Sequence, residues 1–262
     1  DQEGGKVSRL KEEYGFPSFP SWQEIGKLDD ISETKKLAES LANHLNYCGI
    51  NLNYAPVLDL DYGQKTYIGN AQRALSKNPK KIIEHSSILI KTLKKKNIFS
   101  CVKHFPGQGS GLGDTHQGVD DISNTWSKQE LIPYETMINS GILDMVMISH
   151  VFHRLYDSNL PASLSKNIAT ELLRKKLHFE GVIICDDPSM KAISNNYSLE
   201  DTFTYMINAG IDIFCLGNNL EFDPYYVPKC VQAIKEGINK KKISIEKIEQ
   251  SILRINKLKD KL

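Results

Sequence analysis

The sequence lacks the features of a metal-binding, disulfide-bonded or membrane-spanning protein. Its five cysteines are odd in number and include no Cys-x-x-Cys pair, so neither a zinc site nor a disulfide framework is predicted. No apolar run approaches the roughly 18 residues that a membrane-spanning helix needs. Lysine and arginine number 33 against 32 aspartates and glutamates, a formal net charge of +1. This balance argues against nucleic acid or an anionic membrane as a partner.

What is present is an ordinary globular composition, with 40% apolar and 25% charged residues. Cys101, Cys185 and Cys215 lie inside apolar runs, where a thiol behaves as a small apolar side chain. Reduced thiols are typical of the cytoplasm, so we expect a cytoplasmic location. Residue 1 is Asp rather than Met, so a periplasmic or exported location stays open if a signal was removed upstream.

Short β-branched runs alternate with longer segments of helical period. The runs suit strands buried on both faces and lie at 50–60, 98–105, 145–149, 182–186 and 211–217. The segments of helical period lie at 32–47, 79–96, 127–140, 165–177, 198–209, 224–238 and 244–260. This alternation predicts parallel strands joined by helical crossovers.

Local signals mark several helix ends. Ser127 and Glu130 have the spacing of a capping box, and Ser244 with Glu246 predicts the start of the last helix. Glycines between a helix and the next strand predict left-handed C-cap residues at Gly49, Gly141, Gly181 and Gly210.

Two architectures fit the alternation, an open doubly wound sheet and a (β/α)₈ TIM barrel. No Gly-x-Gly-x-x-Gly follows a strand, which weakens a dinucleotide-binding interpretation. Polar residues instead fall at the C-terminal ends of different strands, namely Asp59, Lys103, His104, His150, Asp186 and Asp187. In a barrel those ends converge on one mouth, so we prefer the barrel.

Five strands do not close an eight-stranded barrel, and the opening DQEGG is typical of the end of a further strand. We therefore expect one catalytic barrel domain over residues 1–262, truncated at its N-terminus.

The loop after the second predicted strand is rich in glycine and ends in Asp114-Thr-His116. Glycines let such a loop move, and a carboxylate can orient an imidazole and hold its charge, which makes His116 a candidate proton shuttle. An isolated Asp-x-His is more often a solvated turn. Because this one follows Lys103-His104 at a strand end, function is the better interpretation.

A second candidate is the strand end at Asp186-Asp187. Aspartate is depleted within strands, and a buried carboxylate needs partners. Asp187 precedes Pro188, so we assign it the role of a helix N-cap and assign Asp186 the role of nucleophile. Asp1, Arg9 and Arg73 are candidate hydroxyl-binding residues, although each is weak evidence alone.

Together these residues resemble the bacterial β-N-acetylglucosaminidases of glycoside hydrolase family 3, the enzymes of peptidoglycan recycling. The matching stretches are DQEGG at 1–5, APVLDL at 55–60, Lys-His-Phe-Pro-Gly at 103–107, Asp-Thr-His at 114–116 for the family's Asp-Ser-His, and Cys-Asp-Asp-Pro-Ser-Met at 185–190 for its Ser-Asp-Asp-Leu-Ser-Met. Departures that remove no catalytic group are Lys6 for Arg, Gln108 for His, Cys185 for Ser and Pro188 for Leu.

The resemblance implies a (β/α)₈ barrel that lacks its first two strands and most of the third. It implies a retaining exo-glycosidase acting on muropeptides, with Asp186 as nucleophile and an Asp114–His116 dyad in place of the usual acid/base carboxylate. Sugar hydroxyl and N-acetyl groups would be held by Asp1, Arg9, Arg73, Lys103 and His104. No cofactor or metal is implied, and we expect a monomer whose partner is a small glycan.

Other functions remain open at this point. A family 3 β-glucosidase is the near alternative, although the histidine dyad argues against it. Lys103 at a strand end also suits a Schiff-base aldolase. An inactive glycan-binding homologue is the non-enzymatic alternative, and it is disfavoured because all three catalytic residues are present.

Overall fold

A computed structural model of the chain describes residues 1–218 and 222–262. Within these residues five strands form one sheet in the sequential order β1-β2-β3-β4-β5, and the β1–β2 and β4–β5 pairs are parallel. The strands are β1 Leu52–Asn53, β2 Phe99–Phe105, β3 Met145–Ile148, β4 Val182–Cys185 and β5 Ile213–Phe214. This α/β sheet of parallel strands with helical crossovers confirms the predicted fold class, and its order is the order of strands in a TIM barrel.

Helices occupy the predicted segments and three shorter ones besides. They are α1 Trp22–Leu28, α2 Ile31–Tyr47, α3 Tyr67–Asn70, α4 Pro79–Lys94, α5 Ile132–Asn139, α6 Lys191–Ser194, α7 Leu199–Ala209, α8 Tyr226–Asn239 and α9 Ile245–Lys259, with a 3₁₀ turn at Lys128–Leu131 and a π-helix at Asn167–Lys176. The α-helices outside the predicted segments are α1, α3 and α6, and further 3₁₀ turns lie at Glu12–Tyr14 and Ala162–Leu164. No helix in the described parts of the chain is both long and apolar enough to cross a membrane.

The predicted C-cap glycines are confirmed at three positions and wrong at one. Gly49, Gly141 and Gly210 have φ angles of 70°, 69° and 103°, which is left-handed backbone that favours glycine. Gly181 is not among the left-handed residues. The π-helix ends at Lys176, and His178 takes the left-handed conformation instead, with φ of 58°.

The two predicted helix starts with a Ser and a following Glu have different outcomes. Ser127 caps its turn by accepting a hydrogen bond from Gln129 N at 3.3 Å, but the Glu130 carboxyl group turns away and accepts one from Leu60 N at 3.1 Å. The capping box predicted there is therefore wrong. Helix α9 begins at Ile245 as expected, yet the Ser244 hydroxyl bonds the Glu246 carboxylate rather than the helix backbone.

The packing of the chain separates it into two compact units, residues 1–112 with 125–147 and residues 113–124 with 148–262. In the first unit, Leu45 of α2, Leu93 of α4 and Val102 of β2 are fully buried. In the second, Phe203 of α7 packs edge-on against Phe214 of β5, with ring centroids 5.0 Å apart. The single domain over residues 1–262 stays a prediction.

The predicted first strand, 50–60, is regular only at its start. Beyond Asn53 it rejoins β2 at Val57, which forms a parallel bridge with Lys103, and Leu58 N donates to Lys103 O at 2.7 Å. Pro56 lies between the two paired stretches and has no N–H to donate, which explains the interruption. This bridge fixes Lys103 against the backbone that leads to Asp59.

Candidate functional site

Three predicted site residues meet in the first unit through one ion network. Lys103 Nζ lies 2.6 Å from Asp1 Oδ1 and 2.6 Å from Glu3 Oε1. Arg73 binds the same Glu3 through a two-pronged contact, with Nη2 2.8 Å from Oε1 and Nε 2.9 Å from Oε2. We call Asp1, Glu3, Arg73 and Lys103 the ion cluster. Its two cations and two carboxylates balance one another in charge.

Glu3 is the centre of the ion cluster, and the sequence did not single it out. Its side chain is 3% exposed, as is that of Lys103. Burial would raise the pKa of Glu3, but the positive charges of Lys103 and Arg73 outweigh it and hold that pKa well below its ordinary value. Burial would also lower the pKa of Arg73, whereas Glu3 beside it raises that pKa. Glu3 is thus a fixed anion that holds two cations in place.

His104 follows Lys103 on β2 and is held on both ring nitrogens. Nδ1 lies 2.6 Å from Asp59 Oδ2, and Nε2 lies 3.0 Å from Arg73 Nη2. Because a guanidinium has only donors and a carboxylate only acceptors, the proton is assigned to Nδ1 and Nε2 is the acceptor. His104 is therefore held in one orientation by contacts on both ring nitrogens, with no proton assigned to Nε2.

Arg9 is the most exposed of the predicted binding residues. Its side chain is 66% exposed and reaches Asp1 Oδ2 with Nη2 at 3.2 Å. The turn that carries it is fixed by Gln2, whose Oε1 accepts from Arg9 N at 2.8 Å and from Leu10 N at 3.0 Å. Gly4 in this turn has φ of 99°, and a Cβ there would lie 2.1 Å from Pro20 O, so only glycine fits.

The start of the glycine-rich loop is tied to the same strand end. Asp59 Oδ1 accepts from Gln108 N at 2.8 Å and from His104 N at 3.2 Å. Asp59 is completely buried, and its two oxygens thus hold both the sugar-binding candidate His104 and the loop that follows it. Gln108, which departs from the family pattern, is held here through its backbone.

In the second unit, Asp114 and His116 form the predicted pair. His116 Nδ1 lies 2.7 Å from Asp114 Oδ1, and the same oxygen accepts from His116 N at 3.0 Å. The side chain of His116 is 46% exposed. With Nδ1 donating to the carboxylate, Nε2 is the nitrogen that can exchange a proton with a ligand or with solvent.

Asp186 and Asp187 follow β4 and have different surroundings. Asp186 is partly exposed, and its backbone N donates to Ile148 O at 3.1 Å. Asp187 is buried and accepts from Ser189 N at 2.9 Å and from Gly217 N at 3.1 Å. Asp187 thus caps a turn, as a structural residue would. The helix that follows begins only at Lys191, so the predicted helix N-cap at Asp187 is wrong.

His150 is a buried histidine that supports this strand end. Its Nε2 donates to Asp187 O at 3.0 Å, and its Nδ1 lies 2.7 Å from Ser163 Oγ. Burial lowers the pKa of His150, opposed by the negative charge of Asp186 and assisted by His116. Its hydrogen bonds and its burial fit a neutral ring that holds the backbone next to Asp186.

The structure thus brings Asp1, Arg9, Arg73, Lys103 and His104 into one network in the first unit, and pairs Asp114 with His116 in the second. The catalytic and binding roles of these residues stay predictions. Sequence reasoning missed Glu3, noted Asp59 and His150 only as strand-end residues, and assigned Glu130 to a capping box. Among the described residues, no three His, Cys, Asp or Glu side chains are grouped so that they could hold a metal ion.

The chain is similar in sequence to curated bacterial β-hexosaminidases. The chain is 30% identical to a β-hexosaminidase A of Pseudoalteromonas piscicida, covering 100% of this chain and 47% of that protein. It is 36% identical to a β-hexosaminidase of Photobacterium profundum, covering 84% and 65%. The chain therefore spans about half to two thirds of the length of these curated relatives.

Solved structures give the same picture. A glycoside hydrolase family 3 β-N-acetylglucosaminidase from Paenibacillus sp. superposes with a TM-score of 0.89 at 29% identity, covering 100% of this chain and 49% of that one. The β-N-acetylglucosaminidase from Thermotoga maritima gives 0.84 at 29% identity, with coverages of 98% and 54%. The profile of the glycosyl hydrolase family 3 N-terminal domain matches residues 1–258, and the chain belongs to that family.

Proposed function

We propose that this chain is the catalytic barrel of an exo-acting β-N-acetylhexosaminidase that removes terminal β-linked N-acetylglucosamine with retention of configuration. The observation that carries the proposal is the 2.7 Å contact between Asp114 and Nδ1 of the His116 ring, which is partly exposed to solvent. A histidine so paired can act as a general acid and a general base. The family assignment and the relatives named β-hexosaminidase support the same activity.

In the proposed reaction, an Asp186 carboxylate oxygen bonds to the anomeric carbon as the glycosidic C–O bond breaks. His116 gives the proton on Nε2 to the leaving oxygen, while Asp114 holds the ring in position. His116 then takes a proton from water, which attacks the same carbon and releases Asp186. The two inversions together return the starting anomeric configuration.

The ion cluster and His104 supply the proposed hydroxyl-binding groups. Each hydrogen bond between a charged side chain and a sugar hydroxyl typically contributes about 1.5–3 kcal/mol. Lys103 Nζ lies 2.6 Å from a carboxylate oxygen of Asp1 and 2.6 Å from one of Glu3. Two ion pairs of this kind are typical of a positively charged lysine. A Schiff-base aldolase, by contrast, needs a neutral amine, so we do not retain that function.

The natural substrate we propose is a peptidoglycan-derived muropeptide, as the sequence resemblance implies, in a cytoplasmic recycling role. Release of N-acetylglucosamine from such a disaccharide peptide is measurable by mass spectrometry. If the protein hydrolyses the aryl glycoside but not the muropeptide, the proposed β-N-acetylhexosaminidase activity stands and the proposed muropeptide substrate is wrong.

The activity test compares p-nitrophenyl β-N-acetylglucosaminide with the β-glucoside, using the full-length protein. We expect turnover of the N-acetyl substrate, with loss of at least about 10⁴-fold in kcat for Asp186→Ala and about 10²–10⁴-fold for His116→Ala. Proton NMR of the first-formed sugar should show the β anomer.

Matched controls are Asp260→Ala and His178→Asn, which change an exposed carboxylate and an exposed imidazole outside the proposed site. Both should retain wild-type turnover. Preference for the glucoside would favour a family 3 β-glucosidase. Absence of turnover by a folded full-length protein on either substrate would leave a glycan-binding homologue as the remaining function.

A further inference from the structure

Glu130 lies buried beneath the glycine-rich loop and has no part in the proposed chemistry. Glu130 is completely buried, and its Oε2 accepts a hydrogen bond from Leu60 N at 3.1 Å. Its Oε1 has no hydrogen-bond partner among the residues that the structure describes and faces the loop backbone at Gly109 and Ser110. One side chain thus contacts both the segment after Asp59 and the loop that continues toward Asp114.

The glycines of the loop fit this carboxyl group closely. A Cβ on Gly107 would lie 2.5 Å from Glu130 Cβ, and a Cβ on Gly109 would lie 2.8 Å from its Oε1 and 2.2 Å from Leu60 O. Since real Cβ atoms do not approach so closely, any larger residue at 107 or 109 would displace the loop. The loop backbone therefore packs directly against the Glu130 side chain, with room only for glycine at these two positions.

We propose that Glu130 is a positioning residue: its carboxyl group fixes the backbone of residues 107–110 and the strand end where Asp59 holds His104. Its effect on turnover rests on the proposed function, whereas its effect on the loop does not. Glu130 touches no proposed reacting group. It acts through the loop backbone and through the neighbouring Asp59.

The charge environment of Glu130 gives this role a pH dependence. The groups that face it are Asp59 and the phenols of Tyr62 and Tyr134. Burial, followed by the negative charge of Asp59, raises the pKa of Glu130 well above its ordinary value. The folded protein thus retains a proton that the unfolded chain loses, so stability falls as pH rises from the ordinary glutamate range toward the folded pKa.

Trp126 provides a probe of the loop that needs no substrate. Its indole N–H donates to Pro106 O at 3.1 Å, next to the residues that Glu130 supports. The chain has one other tryptophan, Trp22, whose indole donates to Val57 O at 3.0 Å. Selective ¹⁵N labelling of the indoles gives one signal for each, and Trp22→Phe assigns them.

The experiment compares wild type, Glu130→Gln and Glu130→Ala across a pH series that rises from the ordinary glutamate range. We expect the Trp126 indole signal of Glu130→Ala to shift and broaden. In wild type it should move as Glu130 ionises, and in Glu130→Gln it should not. The melting temperature of Glu130→Gln relative to wild type should rise with pH, because the amide cannot ionise.

Activity provides the second readout. Glu130→Ala should lose at least about tenfold in kcat, because small displacements of reacting groups are costly, and Glu130→Gln should restore most of that loss. Glu135→Ala, an exposed neighbour, controls for the substitution itself. Met137→Ala, a buried truncation in α5, should lower the melting temperature without shifting the Trp126 signal or the kcat of the folded enzyme.

The proposal is overturned if the Trp126 signal of Glu130→Ala matches that of wild type, or if Met137→Ala reproduces every effect of Glu130→Ala. A wild-type protein without turnover would contradict the proposed function alone, since the indole measurement is made without substrate. A shifted indole signal together with rescue by Glu130→Gln supports the positioning role.

Discussion

The ion cluster of the first unit and the Asp114–His116 dyad of the second are built in opposite ways. The cluster joins residues far apart in the chain, and the side chains of Glu3 and Lys103 are each 3% exposed. The dyad joins residues two positions apart, and the His116 side chain is 46% exposed. The proposed roles fit this difference, because groups that would hold a sugar need fixed geometry and a group that would exchange protons needs access to ligand and solvent.

This difference determines what a substitution does. Removing one partner of a buried ion pair leaves an uncompensated charge and costs stability. Removing one partner of an exposed pair costs little stability, because water replaces it. Substitutions in the cluster should therefore weaken the fold as well as binding, and substitutions in the dyad should reduce turnover alone.

The largest stability effect is expected for Arg73→Met. It leaves buried Glu3 with Lys103 as its remaining partner in the cluster, and breaking a buried pair in this way costs about 3–5 kcal/mol. Because the pKa of Glu3 is lowered in the folded protein, its contribution is present at neutral pH and is lost as pH falls through the folded pKa. Urea unfolding at neutral and acidic pH measures both effects.

Arg9→Met is the matched control, since Arg9 is 66% exposed and pairs with Asp1 at 3.2 Å. An exposed pair typically contributes about 0–1 kcal/mol, so the unfolding free energy should hardly change. Equal losses of unfolding free energy for the two arginine variants would mean that burial does not make the ion pairs of the cluster more important for stability.

The next effect is expected for Asp114→Asn. The amide keeps the size of the side chain but cannot stabilise a positive imidazole, so we expect kcat to fall by about 10–10²-fold, less than for loss of the histidine itself. The melting temperature should stay at the wild-type value. The pH profile of kcat with a p-nitrophenyl substrate is the measurement, and Asp260→Asn is the control. A large loss of stability would show that the dyad is structural.

The smallest effect is a change in the pH dependence of stability for His150→Gln. Burial lowers the pKa of His150. As pH falls below about 6.5, this histidine therefore gains a proton in the unfolded chain before it does so in the folded protein. The free energy of unfolding decreases over that range, until the pH reaches the folded pKa. Glutamine removes that decline. The gap in melting temperature between wild type and variant should be widest near about pH 8 and narrow toward acid. A gap independent of pH would contradict a neutral buried ring.

The fold was largely predictable because its strands are apolar, β-branched runs separated by helices of clear period. Helix α1 was missed because it is short and contains Gly26. That glycine is required by packing, since a Cβ there would lie 1.8 Å from Leu75 O, and the sequence does not reveal such a contact between distant residues.

Two Ser-x-x-Glu sequences in the chain show the limit of prediction from local sequence. Ser21 and Glu24, which were not singled out from the sequence, form a reciprocal capping box, with Glu24 N to Ser21 Oγ at 3.2 Å and Ser21 N to Glu24 Oε2 at 2.8 Å. Ser127 and Glu130 do not, because Glu130 bonds to Leu60, 70 positions away. The polar residues at strand ends were predictable from residue type, whereas the contacts of Glu3 with Arg73 and of Glu130 with Leu60 join residues 70 positions apart.

The short span of the Asp114–His116 pair has a consequence for how such a site can change. One carboxylate oxygen accepts both the ring and the backbone N–H of His116, so three consecutive residues contain the whole pairing. A loop of this kind can be lengthened, shortened or exchanged without redesigning the sheet beneath it. The proposed proton-transfer pair can therefore be exchanged together with its loop, whereas the buried ion cluster depends on residues throughout the first unit.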